Sequence, residues 1–343
     1  MTLPELRWRL ADDDGGQSAL FEQEVERHIG RGEYRGLEFL HVHARRVVNE
    51  VPKASRMPFR WTINAYRGCS HACSYCFARP THEYLGMNAG EDFDRRIVVK
   101  VNAVERVRAE LAPNRWAGDH IAMGTNTDPY QRCEGKYRLT QGIVAELAAA
   151  ANPFSILTKS TLILRDLNLL SDAARRTEVG ANFSIGTLDT DVWRMSEPGT
   201  PHPLRRIEAV ARLNEAGVPS GVLLAPVLPG ISDAPEQLEA VVKACVEAGA
   251  RFISPLLLHL RAGVREHYLA WLAGARPDLI ERYRRLYPRA YAPTQTQNEL
   301  GATVRTLVER HGGRSAHPTR TRSATTPSAR PSVAGAAQLD LGL

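Results

Sequence analysis

Three cysteines crowd into one short segment, Cys69-x3-Cys73-x2-Cys76, inside NAYRGCSHACSYCFARPTHEYLG. Thiolates at this spacing hold soft metal centres, and four-iron clusters are held by cysteine thiolates. Three of them in one loop can take three irons and leave the fourth iron open to a ligand from outside the protein. A structural zinc site is the alternative, with His71, His82 or Cys133 as fourth ligand. Zinc sites usually pair two CxxC-like halves at a distance, and no second half occurs in the chain. Core packing is a third reading, because positions i, i+4 and i+7 share a helix face. Spacing, glycine and aromatic context together favour the cluster. Cys245 lies in an amphipathic run and reads as core.

Other polar residues of chemical interest fall where short apolar runs end. The strand candidates are 60–66, 120–125, 154–159, 181–186, 221–227 and 251–257, with helical spacing at 103–112, 141–151, 204–217 and 235–250. Strands alternating with helices imply an α/β fold with a parallel sheet and right-handed crossovers. Six such units suit an open, partial (β/α)6 TIM-type barrel, in which chemistry gathers at the carboxyl ends of the strands. Residues 1–59 read as an amino-terminal extension packed on the barrel of residues 60–263. Residues 264–311 read as two or three helices, and 312–343 as a disordered tail poor in large apolar side chains.

The cysteine segment and its setting resemble the radical S-adenosylmethionine (SAM) superfamily, with aromatic Tyr75 just before the last cysteine. More narrowly, N-x-Y-x-G-C-x-H-x-C-x-Y-C is similar to the branch related to spore photoproduct lyase, a DNA repair enzyme. Over roughly residues 30–310 the chain resembles an actinobacterial group in that branch whose genes often carry an intein. The resemblance implies a [4Fe–4S] cluster on Cys69, Cys73 and Cys76, with SAM on the open iron. It further implies reductive cleavage of SAM to a 5′-deoxyadenosyl radical that abstracts hydrogen, and an electron donor such as flavodoxin or ferredoxin.

The same resemblance supplies expectations for single residues. Thr125, Asn126, Thr127 and Asp128, after the second strand, would receive the amino group of SAM, although N-T-D-P is also strong turn chemistry. Lys159 would meet the SAM carboxylate, and Ser184 the ribose or carboxylate. Glu197, in an E-P pair, would bind the ribose or an arginine, and Pro226 would give adenine an apolar rest. His259 and Arg261 stand as substrate contacts, and Arg165 with Asp166 as a structural ion pair or helix cap. One departure is visible: where photoproduct lyases carry a hydrogen-donating cysteine, this chain has Thr125 or Asn126.

Composition bounds the partners. The formal net charge is +6, and the tail holds half of it in Arg314, Arg320, Arg322 and Arg330 against Asp340. Such a mild basic excess accommodates a nucleic acid without requiring one. The amino terminus lacks the apolar core of a signal peptide, and no apolar stretch is long enough to span a membrane. A cytoplasmic enzyme is expected, acting on DNA, with RNA, protein or a metabolite as the alternative substrates and a non-catalytic zinc protein as the alternative class. The last six residues, Gln338 to Leu343, resemble the peptide by which repair proteins bind the DNA sliding clamp: glutamine for the rim, alternate leucines for apolar pockets.

Overall fold

The structure is a computed structural model that describes residues 25–52, 57–112, 114 and 116–313. The Gln338–Leu343 end lies outside the described residues. Strands β1 (Glu26–Ile29) and β2 (Glu38–Val42) open the described chain, and β3 (Val48–Glu50) leads into β4 (Trp61–Ile63). The short β5 (Tyr66–Arg67) and β6 (Arg96–Lys100) bracket the cysteine segment. Then follow β7 (Ile121–Met123), β8 (Phe154–Thr158), β9 (Val179–Ser184), β10 (Val222–Val227) and β11 (Ile253–Leu257).

Seven strands form the main sheet in the order β11-β10-β9-β8-β7-β4-β3. Six of them, β4 and β7 to β11, run parallel, and β3 adds antiparallel to β4 at one edge. This is the partial barrel of six βα units that the alternating pattern predicts. Helices Leu139–Ala149, Leu167–Ala174, Pro203–Glu215 and Pro235–Glu247 supply the crossovers from β7 to β11, and Ala103–Glu110 lies on the connection from β4 to β7. Two of these begin on a proline, whose missing N–H costs nothing at a first helical position. Covered on both faces, the strands are nearly all apolar, and Ile121, Ala122 and Met123 are all buried. The helix Thr294–Arg310 closes the far end by packing on β11 and on Pro235–Glu247.

Two features depart from the pattern-based reading. The run 60–66 is not one strand: β4 stops at Ile63, and Tyr66–Arg67 joins another sheet. Asn64 makes the break, donating to Thr125 Oγ1 (3.1 Å) and accepting from the Asn126 amide (3.1 Å). The other sheet, β1-β2-β6-β5, draws β1 and β2 from the extension, and its β1, β2 and β6 lie outside the strand candidates. Its β2–β6 pairing is parallel, and β5 runs antiparallel to β6 immediately before Cys69. The β-branched run of β6, Ile97-Val98-Val99, was the readable signal. Among the described residues no helix is long and apolar enough to cross a membrane.

Candidate metal centre

The cysteine loop leaves β5 through a chain of turns. The Cys69 amide donates to Phe93 O (2.9 Å), Ala72 N to Cys69 O (3.2 Å) and Cys76 N to Cys73 O (3.2 Å). Ala72 takes a left-handed φ of 52°, so the three cysteines do not share a helix face. Cys69 and Cys73 are buried, Cys76 is half-buried, and all three are free thiols.

The three sulfurs do not all lie within 4.8 Å of one another. Tetrahedral Zn–S bonds of about 2.3 Å would draw them to about 3.8 Å of one another. Among the described residues, the group whose ligand atoms all lie within 4.8 Å is a different one, Glu26, His28 and His41. Wider spacing fits a cluster, in which each sulfur binds its own iron. The other zinc ligands considered are also engaged elsewhere: His71 faces Asp128 and His82 Nε2 meets Arg96 O at 3.0 Å. Cys133 is buried at the start of the helix Glu134–Tyr137. Burial pushes all three loop thiols up, Cys73 to about 12 with Lys159 opposing the rise. Thiols held neutral in this way release protons when a cationic centre binds.

Long-range tethers hold the loop in shape. Fully buried Arg79 donates to Cys73 O through Nε (3.2 Å) and Nη2 (2.9 Å), and pairs with Asp94 at 2.8 Å. Gln131 accepts from Ser70 N (3.0 Å) while its amide donates to Gly68 O (3.0 Å). The Ser74 amide donates to Ser196 O (3.0 Å), and Gly199 N to His71 O (3.0 Å). Gly199 permits that approach, since a Cβ there would stand 2.2 Å from Ser70 O. Tyr75 donates its hydroxyl to Glu197, and Glu197 also accepts from Arg206.

The residues expected to meet SAM sort by what they already touch. Thr127 donates to Gly68 O (2.6 Å), and Asp128 accepts from Thr158 Oγ1 (2.6 Å) and Lys159 N (2.7 Å). Burial would raise the Asp128 carboxyl, but His71 and these hydrogen bonds outweigh it and bring it to about 2. Glu197 is held below its ordinary value in the same way: Arg206 and Lys159 outweigh its burial. Ser184 donates to Ala225 O (2.6 Å), and Arg206 donates to Ser184 O (3.1 Å). Thr125 bonds Thr62 and Asn64 at the end of β7, with Asn126 beside it. Lys159 carries its Nζ over the Tyr75 ring, 5.5 Å from the centroid. Burial would lower this lysine, but Cys73 and Glu197 outweigh that and raise it. Pro226 sits half-buried near the end of β10 after a cis peptide.

Two expected substrate contacts are also occupied. His259 stacks on Tyr291 with ring centroids 5.4 Å apart, and Arg261 donates to Phe77 O (2.6 Å). Arg165 pairs with Asp166 and Glu134, each at 2.8 Å. Pattern reading missed Arg79, Gln131 and Arg206. Arg79 stands three residues after Cys76, where a basic residue beside a metal loop was a usable sign. Arg206 follows exposed Arg205 in one helix, and nothing local separates the two.

Residues 63–245 match the Radical SAM superfamily. An uncharacterised protein of Mycobacterium tuberculosis strain H37Rv is 43% identical over 300 residues, which is 87% of this chain and 88% of the relative. A radical SAM Nalpha-GlyT isomerase of Pseudomonas phage M6 is 26% identical over 266 residues, 72% of this chain and 53% of that one. Among solved structures, spore photoproduct lyase complexed with dinucleoside spore photoproduct shares the fold. That match has a TM-score of 0.59 and 19% identity, over 80% of this chain and 79% of that one. The family implies a [4Fe–4S] cluster and SAM, and the free, spread thiols suit that demand. With more than half of its length inside the family match, the chain belongs to the Radical SAM superfamily and is a radical SAM enzyme.

Proposed function

We propose that Cys69, Cys73 and Cys76 hold the cluster, and that the enzyme directs radical chemistry at a nucleic acid, DNA damage above all. When bound, the cluster and SAM supply one-electron cleavage of the sulfonium and a 5′-deoxyadenosyl radical that abstracts hydrogen. The observation that carries the cofactor assignment is the trio of free thiols in one short loop, tethered by Phe93, Gln131, Ser196 and Arg79. Lys159 binds the SAM carboxylate, Thr125 and Asn126 receive its amino group, and Ser184 and Pro226 flank the nucleoside. Tyr75, Thr127, Asp128 and Glu197 brace the cysteine loop around it. A flavodoxin or ferredoxin supplies the electron.

The DNA assignment is supported by the shared cysteine-loop motif and by the fold held in common with the photoproduct lyase over 80% of the chain. A base reaches such a buried site by leaving its stack, which is cheapest for a damaged one. The Gln338–Leu343 end, as a sliding-clamp ligand, would raise the local concentration of DNA. The test is anaerobic reduction of the cluster-loaded enzyme with SAM and ultraviolet-irradiated DNA, intact DNA or RNA. The expected result is 5′-deoxyadenosine formation stimulated by irradiated DNA, with deuterium from labelled DNA appearing in that product. Cleavage of SAM that no DNA stimulates would overturn the substrate assignment while leaving the cofactor assignment standing.

A further inference from the structure

Upstream of the cysteine loop, strands β1 and β2 carry a second set of metal-ligating side chains. The β1–β2 register sets Glu26 opposite His41 and His28 opposite Phe39. Residues 26 and 28 point to one face of their strand, and a partner directly opposite points the same way. Glu26, His28 and His41 therefore meet on one face, and one ligand atom from each lies within 4.8 Å of the others. Glu26 Oε1 is 3.1 Å from His28 Nε2, and Oε2 is 3.9 Å from His41 Nδ1. The two imidazoles lie face to face, tilted by 35° with centroids 4.0 Å apart.

Two details distinguish this trio from an ordinary surface ion pair. His28 Nε2 is screened from water yet has no partner in hydrogen-bond geometry, although it faces a carboxylate. His41 has its distal nitrogen, Nε2, 2.8 Å from the Tyr137 hydroxyl. With that nitrogen donating to the phenol oxygen, Nδ1 turns a lone pair towards Glu26, which is how proteins fix the tautomer of a ligating histidine. A hydrogen bond from one imidazole to Glu26 would leave the ring nitrogen of the other facing the same carboxylate unpaired. A divalent ion satisfies all three groups at once. Zinc bonds of about 2.0–2.1 Å in a tetrahedron place ligand atoms about 3.3 Å apart, beside 3.1 and 3.9 Å for the two carboxylate–imidazole separations here, and the two rings must turn to share the ion. Lys136 is the opposing charge nearby, and its ammonium is drawn onto the Phe39 and Tyr137 rings, 5.5 and 5.0 Å from their centroids.

We infer that Glu26, His28 and His41 form a second, mononuclear site for a divalent first-row ion, zinc by donor type, with water in the fourth position. The ion staples edge strand β1 to β2 and, through Tyr137, to the barrel. The test equilibrates cluster-loaded enzyme with micromolar free zinc, then measures zinc and iron per chain and the thermal midpoint. Loading the cluster first keeps zinc out of the cysteine loop. One zinc per chain and a raised midpoint are expected for the wild type and for His43→Gln, an exposed histidine outside the trio. Glu26→Gln and His28→Gln should lose the zinc and the midpoint shift at unchanged iron content, and Tyr137→Phe should weaken zinc binding about tenfold. Glu26 is exposed, so its exchange for Gln leaves the fold intact. No zinc on the wild type, or equal zinc on wild type and Glu26→Gln, would overturn the site.

Discussion

The Nδ1 atom of His71 lies 3.3 Å from Oδ2 of Asp128, and both side chains are almost wholly buried. This pair joins the middle of the cysteine loop to the loop that follows β7. Asp128 simultaneously fixes the ends of β8 through Thr158 and the Lys159 amide. Asp128→Asn keeps the size and loses the charge, so part of this network is left unsatisfied. The expected cost is about 1–3 kcal/mol of stability, seen as a lower denaturation midpoint, together with fewer irons retained per chain. Unchanged iron retention would show that the loop does not depend on this contact.

Lys159 tests a different function. Its ammonium sits over Tyr75 beside the cysteines, where a carboxylate ligand would pair with it. Lys159→Met should retain the cluster and weaken SAM binding by about tenfold or more, in line with about 1.5–3 kcal/mol for a charged hydrogen bond. Equilibrium dialysis of labelled SAM against the cluster-loaded variant gives the answer, and an unaltered affinity would remove Lys159 from the binding site.

The buried pair of Glu197 and Arg206 makes a thermodynamic prediction. Removing one partner leaves an uncompensated charge, so Arg206→Leu should cost about 3–5 kcal/mol. The double variant Glu197→Leu, Arg206→Leu removes both charges and should be less destabilised than Arg206→Leu alone. Urea denaturation of the four chains closes the cycle.

Glycines give a paired control. Gly199→Ala brings a Cβ within 2.2 Å of Ser70 O and 2.8 Å of His71 Cα, and backbone atoms cannot swing aside. The cysteine loop must shift, with loss of iron and a lower midpoint. Gly301, inside the helix Thr294–Arg310, has open space at the same position. Gly301→Ala should stabilise by about 0.8–1.0 kcal/mol through helix propensity.

The pH profile should carry the mark of Lys100, at the end of β6 and only 6% exposed. Burial lowers its ammonium to about 7, with Arg67 adding to the effect. Between about pH 7 and the ordinary value of 10.5 the unfolded chain holds the proton that the folded chain has lost. Stability therefore rises with pH across that window. Lys100→Met should flatten the rise and stabilise the protein at pH 6 by at least about 1 kcal/mol, as measured by denaturation at a series of pH values.

Much of this architecture was legible because local chemistry and global placement coincide. The three cysteines lie within eight residues, and the parallel strands announce themselves as apolar runs between amphipathic helices. The clamps were not legible, because their meaning is set by partners distant in sequence. Glu197 reads as a carboxylate for the ribose or an arginine, and only the fold shows that the arginine is Arg206 and that Tyr75 joins it. Asp128 reads as a turn residue or an ammonium acceptor until His71 fills its side. Arg206 differs from exposed Arg205 only by one step around a helix. The sheet β1-β2-β6-β5 was hidden for a similar reason: β2 pairs with β6 far along the chain, and β1, with Glu26, Arg27 and His28, has no apolar face to betray it.

The tether from Tyr75 to Glu197 spans 122 residues of chain. Synthesis at about 5–20 residues per second separates the two ends by roughly 6–24 s. During that interval Ser196, Glu197, Gly199 and Arg206 do not yet exist to shape the loop of the three thiols. The order of assembly is thereby imposed. The tethers that shape the loop are complete only once the chain has been made through the helix Pro203–Glu215, which carries Arg206. Until then the loop around the three thiols lacks the contacts that fix its shape in the finished fold.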